Sequence, residues 1–257
     1  MTGHQKGILA VVTLAAAFAA GADGDIPQLK PLERLASTSK EKGRGPGPFG
    51  DEYWWANRFL AKYNERQALK GGTADLVLLG DSITHFWEWL DPEDWKAFTA
   101  GKRVINFGYG GDIVQNVIWR INHGELDGYK AKNVALMIGT NNNFSPNSNP
   151  TNLAIAIEHV VDMIREKQPT ARVLLHLILP RGASPTSKLN AEPHKRNLVT
   201  NALLREFAKK RKDVTLVDLT KMFTGPDGWV PRDLMADELH PTPKGYRLWA
   251  AALSNYL

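Results

Sequence analysis

Five short apolar runs, each cut off by small or polar residues, constrain this chain more than any other feature. The first is Leu76-Val77-Leu78-Leu79, ended by Gly80-Asp81-Ser82. The others lie at 103–107, 134–138, 172–179 and 214–218. Such runs, without polar alternation, read as strands buried on both faces, the habit of parallel sheets. The connections carry helical spacing at about 113–121, 152–166, 194–210 and after Thr242-Pro243, and a further helix at 51–69 precedes the first run. Parallel strands need crossovers of this length. The predicted fold class is α/β, one three-layer α/β/α sandwich on a five-stranded parallel sheet.

The ends of the runs gather the residues that carry chemistry. Gly80-Asp81-Ser82, Gly108-Tyr109-Gly110-Gly111-Asp112, Gly139-Thr140-Asn141-Asn142 and Pro180-Arg181-Gly182 each follow a strand. Open α/β sheets bind ligands beyond the carboxyl ends of their strands, so these loops share one edge. A serine there could simply cap the next helix; it becomes a nucleophile when a base removes its proton. His240 is the candidate base. Asp237, three residues earlier, is spaced to hold one ring nitrogen while the other faces Ser82. Acyl transfer also needs donors for a developing oxyanion. Gly110-Gly111 offers a backbone N–H with no side chain in the way, Asn141 a side-chain amide, and Ser82 its own N–H. Each has a plainer reading as a turn or cap residue; the whole set on successive strand ends is hard to assign to packing.

Composition narrows the classes. A length of 257 residues suits one substantial domain. With no cysteine, disulfides, thiol catalysis and thiolate zinc sites are excluded. The net charge of +5 is spread over Lys and Arg interleaved with Asp and Glu, so no nucleic-acid footprint is expected. His123, His159, His176 and His194 show no metal-ligand spacing and read as structural or exposed. At the amino terminus, Lys6 precedes an apolar stretch at 8–20, and Ala20-Gly21-Ala22 fits a small-residue cleavage site. Residues 1–22 therefore read as a secretory signal peptide, short for a membrane span, and predict a secreted or periplasmic protein without stable membrane insertion after cleavage. Residues 23–50, rich in Pro, Gly and Lys, read as a flexible leader or surface-hugging arm, and 51–257 as the domain.

Four segments, in order, resemble the blocks of the SGNH (GDSL-type) hydrolase family: Gly80-Asp81-Ser82-Ile83, Asn106-Phe107-Gly108-Tyr109-Gly110-Gly111-Asp112, Gly139-Thr140-Asn141-Asn142 and Asp237-Glu238-Leu239-His240. Trp119-Arg120, Gly124-Glu125-Leu126, Leu179-Pro180-Arg181-Gly182 and Gly245-Tyr246 bring the likeness nearest to the catalytic subunits of platelet-activating-factor acetylhydrolase and their bacterial esterase relatives. The resemblance implies a flavodoxin-like SGNH hydrolase fold and a triad of Ser82, His240 and Asp237. It implies an oxyanion hole from Ser82, Gly111 and Asn141, no metal or organic cofactor, and a tight acyl pocket walled by Ile83 and Leu239. The expected activity is removal of short acyl groups, acetyl above all, from an exported-side substrate such as an acetylated sugar or polysaccharide. Phospholipid or lysophospholipid acyl hydrolysis is the alternative on the same scaffold. The likeness also admits a homodimer.

Other residues carry smaller expectations. Trp87, Trp89 and Trp119 are candidates to stack on sugar rings, with core packing as the competing role. Trp54 and Trp55 read as packing residues. Arg181 is a candidate contact for a polar leaving group or a member of a surface ion pair. His85 reads as a loop or pocket residue, and Asp81 as the residue that orders the nucleophile turn. Asp91 and Asp112 read as caps of the helices that follow them.

Overall fold

A computed structural model of the chain describes residues 26–31 and 54–257. The predicted signal peptide and most of the predicted leader lie outside the described residues. Within the leader, Pro27–Leu29 form a short 3-10 turn, and Leu29 packs against the core.

The apolar runs form β1 (Thr73–Gly80), β2 (Val104–Gly108), β3 (Lys130–Met137), β4 (Arg172–His176) and β5 (Val214–Val217). All pair in parallel, in the order β2-β1-β3-β4-β5. The helices are α1 (Trp54–Ala68), α2 (Ser82–His85), α3 (Trp87–Leu90), α4 (Pro92–Thr99), α5 (Val114–Asn122), α6 (Thr140–Phe144), α7 (Pro150–Lys167), α8 (Ala191–Lys209) and α9 (Pro243–Ser254). Helices α5, α7 and α8 pack side by side, and α9 packs on α4. Right-handed crossovers through this strand order put the first group on one face and α4 with α9 on the other. The fold is therefore the expected three-layer α/β/α sandwich of flavodoxin-like type. Leu76, Val77, Leu78 and Leu79 are buried on both sides of the sheet, which is why their run lacks alternation.

Local chemistry fixes the helix starts. Asn149 accepts from the N–H groups of Thr151 and Asn152, with Pro150 at the first position of α7. Thr242 does the same for α9 by accepting the Gly245 N–H, ahead of Pro243. Of two further predicted caps, one holds its position. Asp91 is the N-cap of α4 ahead of Pro92, as expected, but its side chain makes no capping bond and lies 4.0 Å from Arg247. Asp112 is one residue too early, since Ile113 holds the N-cap position of α5. Its carboxylate turns inward, where a buried arginine needs it.

β4 is shorter than its apolar run. Beyond His176 the ladder gives out because β5 ends at Val217. Asn201 of α8 then replaces the missing strand: its Oδ1 accepts the Ile178 N–H (2.9 Å) and its Nδ2 donates to the Ile178 carbonyl (2.8 Å). Ile178 thus stays buried with both backbone groups bonded.

Candidate active site

β1 and β3 are the central strands, and the order of connections reverses between them, so their carboxyl ends open on the crevice of the sheet. Ser82 follows β1 and Asn141 follows β3. Glycine at the strand ends is a matter of space. A methyl group at Gly80 would lie 2.1 Å from Thr84 Oγ1, and one at Gly108 would lie 2.2 Å from the His85 nitrogen. Helix α2 sits directly on these ends. Asp81 Oδ1 accepts the Ile83 N–H at 2.9 Å and caps α2, with Ser82 in its first turn. Asp81 thus orders the turn, as expected from the sequence.

Asp237 and His240 come from the loop before α9. Glu238 between them has a φ of 65°, a left-handed conformation uncommon for a residue with a side chain. It is held there from several sides: its carbonyl accepts the Gly182 N–H at 2.9 Å, and its carboxylate accepts from Asn190 Nδ2 at 3.4 Å and pairs with Arg232. The reversal brings both neighbouring side chains to the same side of the turn. His240 Nδ1–H donates to Asp237 Oδ2 at 2.6 Å. Ser82 Oγ–H donates to His240 Nε2 at 2.9 Å, joining residues far apart in the chain. The tautomer follows from the partners, since a carboxylate only accepts. Asp237 Oδ1 also accepts the N–H groups of Leu239 (3.0 Å) and His240 (2.7 Å). Burial pushes its carboxyl up, but the His240 ring and these two amides outweigh it and hold the pKa at about 2. Phe86 lies against the imidazole, ring centroids 4.8 Å apart.

The other candidate oxyanion donors lie on the turns that follow β2 and β3. The Gly110 N–H is engaged by His85 Nδ1 at 3.3 Å. Gly111 is exposed, with a φ of 75° that favours glycine. Asn141 is half-buried, and Nδ2 donates one of its two hydrogens to the Asp112 carbonyl at 2.8 Å. Ile83 is buried, with its carbonyl accepting from Tyr246 OH at 2.8 Å, and Leu239 is half-buried against the core.

Several side chains stand away from the roles the sequence suggested. Arg181 is neither at the surface nor free for a leaving group. It is buried and donates to Thr140 and Asn190. No sequence signal marked Asn190 as its partner. Trp87 is fully buried, stacked on Phe98 and Trp249, and Trp119 packs on Phe59 and His123. Of the three tryptophans, Trp89 faces solvent, at 48% exposure. His85 is buried against Trp54, and burial, with the charges of Arg58 and Lys62, holds its pKa well below the usual histidine range. It is a neutral acceptor for Gly110 rather than a base. No helix among the described residues is long and apolar enough to cross a membrane.

Comparison with known proteins agrees with this geometry. Residues 78–248 match the GDSL-like Lipase/Acylhydrolase family. The rat (Rattus norvegicus) platelet-activating factor acetylhydrolase IB subunit alpha2 is 31% identical over 199 residues, 77% of this chain and 80% of that protein. The human (Homo sapiens) subunit alpha1 is 30% identical over 210 residues, 81% of this chain and 84% of that one. A solved GDSL-like lipase from Bacteroides thetaiotaomicron shares the fold, with a TM-score of 0.65 at 19% identity, over 77% of this chain and 96% of the other. The chain therefore belongs to the GDSL-like lipase/acylhydrolase family, with the fold of a carboxylic ester hydrolase.

Proposed function

We propose that this enzyme is a serine hydrolase that removes short acyl groups, acetyl foremost, from a phospholipid ester of the platelet-activating-factor kind. The observation that carries the chemistry is the unbroken chain from Asp237 through His240 to Ser82 at 2.6 and 2.9 Å. His240 takes the Ser82 proton as Oγ attacks the ester carbonyl. Asp237, ionised down to about pH 2, fixes the ring and stabilises the imidazolium that forms. The N–H groups of Ser82 and Gly111 and the side chain of Asn141 receive the oxyanion. His240 then protonates the departing alcohol. Water, activated by the same imidazole, releases the acyl group. By the family resemblance Ile83 and Leu239 wall the acyl side, and their bulk favours a short chain.

The choice of alcohol rests on the relatives. Proteins about 30% identical over most of the chain are acetylhydrolases of platelet-activating factor. The acetylated carbohydrate expected from the sequence rested on the export reading; of the tryptophans offered beside it as a stacking platform, Trp87 is packed inside and Trp119 is half-buried against Phe59 and His123. Export belongs to the same proposal through residues 1–22, and sequencing the mature amino terminus from the native host tests it.

The substrate test is a series of p-nitrophenyl esters of increasing chain length, beside a 2-acetyl ether phospholipid and acetylated xylan. Turnover is expected to fall steeply beyond short chains, with the phospholipid cleaved faster than the xylan. Preference for long acyl chains would overturn the acyl assignment, and preference for xylan would overturn the phospholipid assignment.

A further inference from the structure

Arg181 is 3% exposed, at the mouth of the sheet, and has no part in the chemistry above. Its four side-chain hydrogen bonds run in two directions. Nη1 donates to the Thr140 carbonyl (3.2 Å) and to Thr140 Oγ1 (3.0 Å). Nε and Nη2 donate to Asn190 Oδ1 (2.9 and 2.7 Å). Thr140 is the residue before Asn141. Asn190 passes the connection on, since its Nδ2 donates to Glu238 Oε2 at 3.4 Å. Glu238 is the left-handed residue between Asp237 and His240, and it accepts the N–H of Gly182, the residue after Arg181.

We propose that Arg181 is a positioning residue, a brace that ties the turn carrying Asn141 to the turn carrying Asp237 and His240. It thereby sets the oxyanion donor at a fixed distance from the base. This rests on the proposed ester hydrolysis. Two observations favour a brace over simple filling of space. First, the N-cap position of α6 is held by Gly139, with φ of 122° and no side-chain cap, so the Asn141 turn lacks the usual anchor at its start. Arg181 supplies one, through both oxygens of Thr140. Second, every one of those hydrogen bonds ends on a neutral oxygen. A buried guanidinium without a carboxylate partner is costly, and an apolar side chain would fill the space more cheaply. Burial pulls its pKa down to about 10, while Asp81 and Asp237, both at the site, act through space to hold its charge. Phe144, on the same α6 turn, lies with its ring centroid 5.3 Å from the guanidinium carbon.

The test is a double-mutant cycle on p-nitrophenyl acetate, with kcat and KM measured separately. Asn141→Ala is expected to lower kcat about 100-fold, the usual effect of losing an oxyanion donor. Arg181→Gln is expected to lower kcat about 10- to 50-fold with KM within about threefold, because a small misplacement of a donor is costly. In the Asn141→Ala background the same Arg181→Gln change should cost less than about threefold, since the donor it positions is gone. Losses that multiply in full, a change confined to KM, or no change would overturn the brace. Arg181→Lys keeps the charge without the two-sided fork and should recover less than half of kcat; full recovery would replace positioning by charge and overturn it too. If Arg181→Gln fails to fold, Asn190→Ala releases the same brace from its far side. It should lower kcat about 3- to 10-fold with the same non-additivity toward Asn141→Ala, and an unchanged kcat overturns the proposal. Ser82→Ala separates the two failures. An active Ser82→Ala sinks the hydrolase reading itself. An inactive one beside an unaffected Arg181→Gln sinks the brace alone.

Discussion

Trp55 Nε1 donates to Asp112 Oδ1 across 2.7 Å, which fastens α1 to the glycine loop of the site. The same carboxylate accepts Arg120 Nε at 3.1 Å, and Arg120 also pairs with Glu125 and donates to the Phe107 carbonyl at 3.2 Å and the Gly80 carbonyl at 3.3 Å. Arg120 and Asp112 are fully buried and Glu125 nearly so. Removing one member strands a charge inside the protein. Asp112→Ala is therefore expected to cost about 3–5 kcal/mol in chemical denaturation, and Asp112→Asn, which keeps an acceptor for the indole, less. A change below about 1 kcal/mol would mean that the network contributes little.

Asp81 gives the fold a pH dependence of definite sign. Burial pushes its carboxyl up to about 6, against the Ile83 N–H and the positive charges of His240 and Arg181, which pull it down. The unfolded value is 3.8, so the native state binds the proton more tightly. Its stabilising contribution is complete below the unfolded value and is lost as pH rises through about 6, an effect of up to ~3 kcal/mol. Asp81→Asn keeps the acceptor for Ile83 and does not titrate. Urea midpoints should show the variant gaining on the parent between about pH 4 and 7. A difference that stays constant over that range contradicts the assignment.

Asp237 behaves in the opposite sense. Its pKa is depressed to about 2, so its share of stability is present above the ordinary 3.8 and is lost only in strong acid. Loss of activity between about pH 4 and 6 therefore has another source than Asp237. Asp237→Asn should lower kcat about 10³- to 10⁴-fold with little change in KM, through the wrong imidazole tautomer. Steady-state kinetics across pH checks both statements.

Gly108 shows how closely the nucleophile turn is seated. A methyl group there would lie 2.2 Å from the His85 nitrogen and 2.6 Å from the Thr84 carbonyl carbon, both backbone atoms. Gly108→Ala must push α2 away from β2. It is expected to destabilise by about 2–3 kcal/mol and to lower kcat together with thermal stability. An alanine variant with the parental melting temperature would show that α2 tolerates the shift.

The strands were legible in the sequence because a sheet buried on both faces writes itself as uninterrupted apolar runs, as at Leu76-Val77-Leu78-Leu79. The meeting of Ser82, Asp237 and His240 could be foreseen because strand-end loops converge on one edge. What the sequence hid were side chains whose partners are remote. Arg181 looks like any surface arginine until Thr140 and Asn190 are brought to it from 41 and 9 residues away. Asp112 looks like a helix cap until Arg120 folds beneath it. The tryptophans were ambiguous for a related reason. An indole reads alike in a core and on a platform, and only the stacking of Trp87 on Trp249 decides between them. Asn201 in place of a strand leaves no local signature at all.

The decisive observation is the fate of Ser82 during turnover. Acid-quenching the enzyme within its first turnovers on p-nitrophenyl acetate, followed by peptide mass spectrometry, should show one acetyl group on Ser82 and none in the Ser82→Ala variant. The same variant should lose at least about a thousandfold in turnover. An acetyl group on another residue, or a Ser82→Ala enzyme as fast as its parent, would refute Ser82 as the nucleophile and His240 as its base.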